Sequence, residues 1–304
     1  MKSGLVGPAS TASSLPCRIS VEHETARGLM LDSSPYKTIA VATTFSPRFR
    51  QVLAEAKRLR ERFPADLHLI FAGKRNEEAA TKFRGALEEL RLPADSTIHY
   101  EEGDPAEAIL RTLAREHIDV IVAGALEKEV VLHPFLGNVA RRLVREAQCS
   151  VMLFTKPAAK PKPLRRIVFV ADHSSHGLQA LKKTLALAAA ESCERLYVIS
   201  IITTFDQARA SISSGASKGK DSSAHEEEEQ ALEEFVLSAG ATEVPIEVRC
   251  VRGNTGLVAS DFVQSVKADL LVVALQKNGE ASKLLPSNIA WITDVIPCNL
   301  WVIR

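Results

Sequence analysis

The chain has 304 residues, of which 46% are hydrophobic and 25% charged, and its formal net charge is +1. That balance suits a soluble globular protein with room for two domain-sized cores, and it argues against a dedicated nucleic-acid surface. No apolar run approaches the roughly 20 residues of a membrane helix, so no membrane partner is expected.

Residues 1–34 are rich in Ser, Ala and Gly and lack a compact apolar segment, which reads as a disordered tail without a signal peptide. Thr38–Ala42 is a short apolar run suited to a buried parallel strand. The segment 47–62 places Val52, Leu53, Ala56 and Leu59 at helical spacing behind Pro47. Strands are predicted at Leu67–Phe71, Thr97–Tyr100, Val120–Ala123 and Val151–Phe154, with helices at 76–91, 105–117 and 139–146 between them. The order then repeats. Strands are predicted at Ile167–Ala171, Leu196–Ile201, Ile246–Val251, Leu270–Val273 and Leu300–Ile303, and helices at about 177–191, 226–239, 255–267 and 288–294. Strand–helix alternation implies right-handed βαβ units and a parallel sheet covered on both faces.

Two stretches break the alternation. Thr155–Pro163 carries three prolines among lysines, a short stiff connector that spans about 30 Å when extended. Residues 206–225 are rich in Ser, Gly and Lys and read as a mobile surface insertion. The Glu226–Glu229 run after it suits the amino end of a helix. The resulting division is a tail at 1–34, a first domain at 35–156, a connector at 157–164 and a second domain at 165–304.

The two domains are copies. Gly103-Asp104 and Gly253-Asn254 stand at an offset of 150, and the offset persists through Asp119/Asp269, Gly124/Ala274 and Gly137-Asn138/Ser287-Asn288. In open sheets of this kind ligands bind beyond the carboxyl ends of the strands, where the winding reverses. The turns after the first and fourth strands of each copy therefore line the expected crevice. Gly137-Asn138 before a helix would present backbone N–H groups and a helix dipole to an anion, although Asn138 as a helix N-cap explains the pair equally simply.

The run Thr38–Pro47, the Gly103-Asp104-Pro105-Ala106 turn and Gly124-x2-Glu127-x9-Gly137-Asn138 together resemble the universal stress protein family. The resemblance covers about 37–154 and 165–304. It implies two tandem open parallel five-stranded sheets with helices on both faces, of the Rossmann-like, adenine-nucleotide alpha-hydrolase-like kind. It also implies an adenine-nucleotide ligand such as ATP or AMP. The family signature is Gly-x2-Gly-x9-Gly followed by Ser or Thr, with an Asp ending the first strand. Copy one keeps Gly124 and Gly137, has Glu127 for the second glycine and Asn138-Val139 after the third, and holds Thr44 in place of the acid. Copy two keeps the acid as Asp172 but reads Ala274-x2-Lys277-x9-Ser287-Asn288, without glycines. A desolvated glutamate at 127 would repel a triphosphate by several kcal/mol. Lys277 reads either as a phosphate clamp or as a solvated loop lysine. Asp172 reads either as a nucleotide contact or as a turn cap.

Other candidates are weaker. His133 is isolated, and the Asp172-His173-Ser174 cluster is short-range turn chemistry more than a triad. Five scattered cysteines (Cys17, Cys149, Cys193, Cys250, Cys298) show no metal spacing and indicate a reducing, cytoplasmic setting. No catalytic or metal residue is assigned. Family members commonly dimerise through their fifth strands, which here are Ser150–Phe154 and Asn299–Ile303. Both are apolar edges able to pair within one chain. The reading is a non-enzymatic tandem protein that senses a ligand or scaffolds an unidentified protein partner in stress response. The alternative is an ATP-binding, ATP-hydrolysing enzyme built on the same crevice.

Overall fold

Ten short aliphatic runs form the strands of the described structure. The computed structural model describes residues 34–43, 45–125, 136–203, 221–253, 255–276, 290–293 and 296–304. Thr44, Glu127, His133, Lys277, Ser287 and Asn288 lie outside them, as do residues 1–33 of the expected tail and 206–220 of the expected insertion. The first half comprises β1 (Thr38–Thr43), α1 (Phe49–Arg62), β2 (Asp66–Ala72), α2 (Glu77–Glu89), β3 (Thr97–Glu101), α3 (Pro105–Arg115), β4 (Val120–Gly124), α4 (Asn138–Glu146) and β5 (Ser150–Phe154). The second comprises β6 (Arg166–Val170), α5 (Ser175–Ala190), β7 (Arg195–Ile202), α6 (Asp221–Leu237), β8 (Ile246–Arg252), α7 (Thr255–Ser265), β9 (Leu270–Ala274), a 3₁₀ turn (Ala290–Thr293) and β10 (Asn299–Ile303).

Each half is an open parallel sheet, and the two are joined edge to edge. The strand order is β3-β2-β1-β4-β5-β10-β9-β6-β7-β8. Every neighbouring pair is parallel except β5 and β10, which run antiparallel with Leu300 opposite Leu153 and Val302 opposite Val151. The expected fifth-strand pairing thus occurs within the chain and merges two five-stranded halves into one ten-stranded sheet. Polar groups lock the seam: Asn299 Oδ1 accepts from Thr155 N at 3.0 Å and from Thr155 Oγ1 at 3.2 Å, and Arg304 N donates to Ser150 Oγ at 3.1 Å.

Alternation along the strands feeds two cores. Ile39 and Val41 face the layer holding Leu53, Phe83, Leu181 and Phe235 of α1, α2, α5 and α6. Ala40 faces the layer holding Ile109, Leu143 and Val263 of α3, α4 and α7. The first layer crosses the seam without a break, because Tyr36 packs edge-on against both Phe63 and Trp301 at 6.0 and 6.2 Å. Buried residues of both halves thus belong to one continuous layer.

Duplicated landmarks explain themselves at this level. Asp119 Oδ2 accepts from Lys37 N and Thr38 N at 2.7 and 3.0 Å, and Asp269 Oδ2 accepts from Arg165 N and Arg166 N at 2.8 and 2.9 Å. Both acids pin the amino ends of neighbouring strands, opposite the crevice. Gly103 and Gly253 adopt φ of 112° and 140°, backbone that L side chains rarely enter.

Two expectations need correction. Residues 221–225, placed in the mobile insertion, already belong to α6. Asp221-Ser222-Ser223 is a helix-opening sequence, so the helix begins earlier than its apolar positions announce. Of the helix expected at 288–294, Ala290–Thr293 is a 3₁₀ turn, and 288, 289 and 294 lie outside the described residues.

Candidate functional site

The crevice mouths lie at the carboxyl ends of β1 and β4 in the first half and of β6 and β9 in the second. In the first half Gly124 ends β4, and a Cβ there would meet only Val52 Cγ2, at an ordinary 3.5 Å. Among the described residues nothing else crowds that position. Gly137 is the N-cap of α4 with φ −61°, and its N–H donates to Ala125 O at 3.0 Å, closing the loop between them. Asn138 is therefore the first helical residue and not the cap, contrary to expectation. The reason is that Gly137 already occupies the extended position that precedes the helix. Gly137 has no side chain with which to cap α4, and among the described residues no side-chain cap bond is made there. The first-turn N–H groups, which include those of Asn138 and Val139, lack intrahelical partners and face the loop side.

The turn after β1 is sealed by rings. Phe45 has φ 57° and packs against Phe49, Phe71 and Phe83 with centroids 5.3, 4.8 and 4.7 Å away. Buried Thr43 holds the turn by accepting the Phe45 N–H at 2.8 Å. Lys82 Nζ lies 5.3 Å from the Phe45 ring centre, a cation–π contact that caps the cluster.

The matching turn of the second half is polar. Asp172 Oδ1 accepts from Ser174 N at 3.1 Å and from Ser174 Oγ at 2.8 Å, and Ser174 Oγ accepts from Gly177 N at 2.9 Å. This chain of bonds caps α5. A Cβ on residue 177 would stand 1.9 Å from Asp172 Oδ1, so the carboxylate rests over the helix start only because that residue is glycine. Asp172 makes the contacts of a turn cap, and its carboxylate remains solvent-exposed.

His173, with φ 54°, occupies the place of Phe45. Its Nε2 lies 3.7 Å from Glu228 Oε1, its ring packs 5.3 Å from Phe235, and Ser200 Oγ donates to Glu228 Oε1 at 3.0 Å. Burial, reinforced by Glu228 and Glu229, pushes the nearby Cys250 thiol up to about 12, so it stays protonated and unreactive. Ala274 ends β9, and the N–H of Leu275 after it donates to Ile303 O at 2.8 Å. The turns after β1 and β6 have thus diverged, one packed with phenylalanines toward β2 and α2 and the other carrying His173 beside Glu228 and Ser200. Sequence reasoning missed both sets. The crowding of Phe45, Phe49, Phe71 and Phe83 into one half was a readable signal for the first, whereas Glu228 had none. Among the described residues no three His, Cys, Asp or Glu side chains are placed to hold a metal.

The sequence pattern of the Universal stress protein family matches residues 35–155 and again 163–304. The chain belongs to that family. Solved structures resemble it over most of its length. A functionally unknown protein of Pseudomonas aeruginosa PAO1 is 16% identical, with TM-score 0.64, covering 88% of this chain and 92% of its own. A universal stress protein of Archaeoglobus fulgidus is 13% identical, with TM-score 0.63, covering 88% and 98%. At these identities the likeness is one of fold. No curated protein matches the chain. Among the described residues no helix is long and apolar enough to cross a membrane.

Proposed function

We propose that this universal stress protein acts in stress response as a non-enzymatic, ligand-sensing or scaffolding module, with one weakened adenine-nucleotide site in the first half and none of consequence in the second. The domains of the proposal are 35–156 and 165–304, joined by the connector 157–164, and its setting is cytoplasmic. The observation that carries it is the division of the family's site between the halves. The first half offers the start of α4 behind Gly124 and Gly137, where Gly137 supplies no side-chain cap and helix N–H groups favour a phosphate. In the second, the one surviving acid, Asp172, accepts from Ser174 N and Oγ in the turn before α5, and Ser174 caps the helix. A phosphate group held mainly by backbone N–H groups of α4 binds weakly, because Phe45 and its neighbours occupy the space beside the first strand.

Gly137→Val tests this reading. The φ of −61° is ordinary for valine, and the added side chain at the N-cap should hinder close approach to the α4 N–H groups. Thermal-shift titration with ATP and AMP, with and without Mg²⁺, should raise Tm modestly in the native protein and not in the variant. No shift in the native protein would leave scaffolding of a protein partner as the role. A hydrolase reading rests on the adjacency of His173, Glu228 and Ser200. Phosphate release abolished by His173→Gln would establish it, and its absence under saturating ATP rejects it.

A further inference from the structure

The ten-stranded sheet ends in two outer strands, β3 and β8. At the two ends of β8, Leu196 N donates to Pro245 O at 2.9 Å and Gly253 N donates to Ile202 O at 3.1 Å. In a parallel pair every second residue carries both of its bonds to the neighbouring strand, so the odd-numbered residues of β8 serve β7. Ile246, Val248, Cys250 and Arg252 therefore turn their N–H and C=O groups away from β7. No strand of the described residues answers them.

The side chains of β8 alternate as well. Val248 packs on the α5–α6 layer with Ile246 and Cys250 beside it. Glu247 and Arg249 share the other face with Val251, which packs on the α7 layer. Glu247 Oε2 lies 2.7 Å from Arg195 Nη1, and its Oε1 lies 3.0 Å from Arg249 Nε and 2.9 Å from Arg249 Nη2. One carboxylate thus serves two guanidinium groups. Arg195 fixes Glu247 from β7, and the Arg249 side chain keeps 31% exposure at the sheet edge.

Ile246-Glu247-Val248-Arg249-Cys250 reads apolar, acidic, apolar, basic, apolar, and is complementary to itself when reversed. An antiparallel copy centred on Val248 sets Val248 against Val248 and Ile246 against Cys250. These are the outward-turned residues, which can exchange backbone hydrogen bonds in pairs. The same register sets each Glu247 opposite the copy's Arg249, with Cβ atoms about 5 Å apart, within reach of an ion pair. A shift to the next permitted register in either direction would oppose Arg249 to Arg249 or Glu247 to Glu247. The other outer strand lacks this match, because β3 centred on His99 opposes His99 to His99 and Thr97 to Glu101. The chain already joins two edges antiparallel at the β5–β10 seam.

We propose that β8 is a self-association edge, through which two copies of this chain pair antiparallel along Ile246–Cys250 and extend one sheet into the other. The partner is a second copy because the charge pattern answers itself in one register, as a twofold interface requires. A contact built on one strand pair belongs to the small, transient class, so the dimer is reversible and concentration-dependent. The proposal is independent of nucleotide binding in the crevice.

Sedimentation velocity of the full chain from about 1 μM to about 1 mM should show monomer passing into dimer. Over the same range, hydrogen exchange followed by NMR should slow at the amides of Val248 and Cys250. Those of Glu247 and Arg249, already bonded to β7, should change less. Glu247→Arg and Arg249→Glu each place like charges opposite one another and should each weaken association about tenfold or more. An equimolar mixture of the two variants restores opposite charges across the pair and should associate at close to native strength. Thermal melts within a few degrees of native confirm that both variants fold, and the exchange measurement on the native chain stands without them. The proposal is overturned by a monomer throughout the range, or by a dimer that leaves Val248 and Cys250 unprotected. It is equally overturned by folded variants that dimerise like the native chain, or by a mixture no stronger than its components.

Discussion

Gly177→Ala is the sharpest probe of the second half's mouth. The new methyl would stand 1.9 Å from Asp172 Oδ1 and 3.0 Å from its Cγ, so the carboxylate must swing away from the start of α5. It then surrenders its bonds to Ser174 N and Oγ, at 3.1 and 2.8 Å. Loss of capping bonds of this kind costs about 1–2 kcal/mol, toward the lower end here because Asp172 is exposed. Alanine in a helix is favoured over glycine by about 1 kcal/mol, which offsets part of that loss. In the native background the change should therefore be neutral to destabilising by about 1 kcal/mol. In an Asp172→Ala background the clash is gone and the same change should stabilise by about 1 kcal/mol. Urea denaturation of the four proteins of this double-mutant cycle measures the coupling directly, with an expected value of about 1–2 kcal/mol. Coupling below about 0.3 kcal/mol would mean that Asp172 does not sit over the helix, and the capping argument would fall.

Three further outcomes follow from the same geometry. Phe45→Ala removes the ring that Phe49, Phe71 and Phe83 surround and should destabilise by about 2–4 kcal/mol in chemical denaturation. Asn299→Ala strips the seam of an acceptor used twice by Thr155 and should lower stability by about 1–2 kcal/mol while leaving far-UV circular dichroism unchanged. Across β2 and β3, His68 Nδ1 lies 3.0 Å from His99 Nε2, and burial holds His99 below the usual histidine range despite Glu116 at 3.7 Å. A depressed histidine takes up its proton more readily when unfolded. Its contribution is complete above about pH 6.5 and is lost as pH falls from there through the folded value, a slope that His99→Gln should flatten.

Much of this architecture was written plainly in the chain. Runs such as Ile39-Ala40-Val41 or Leu270-Leu271-Val272-Val273 are buried on both sides of a parallel sheet, and that burial leaves uninterrupted apolar stretches which mark strands unambiguously. The fifth-strand pairing was legible for a related reason: Val151–Phe154 and Leu300–Ile303 are apolar edges that need a partner. Helix starts were less legible. Apolar periodicity reports the buried face and is silent about the capping turn, which is why α6 begins at Asp221 and why Gly137, not Asn138, caps α4. The mouths were hardest. Phe45, Phe71 and Phe83 come from a turn, a strand and a helix, and His173, Ser200 and Glu228 likewise meet only after folding. The turn contacts of Asp172 were not legible in local sequence, because they depend on the missing Cβ of Gly177.

Native mass spectrometry of the chain with ATP, run beside Gly137→Val and Asp172→Ala, tests the division of the site most directly. The account predicts at most one nucleotide per chain, absent from Gly137→Val and retained by Asp172→Ala. Two nucleotides per chain, or a single one lost on Asp172→Ala and kept by Gly137→Val, would contradict it.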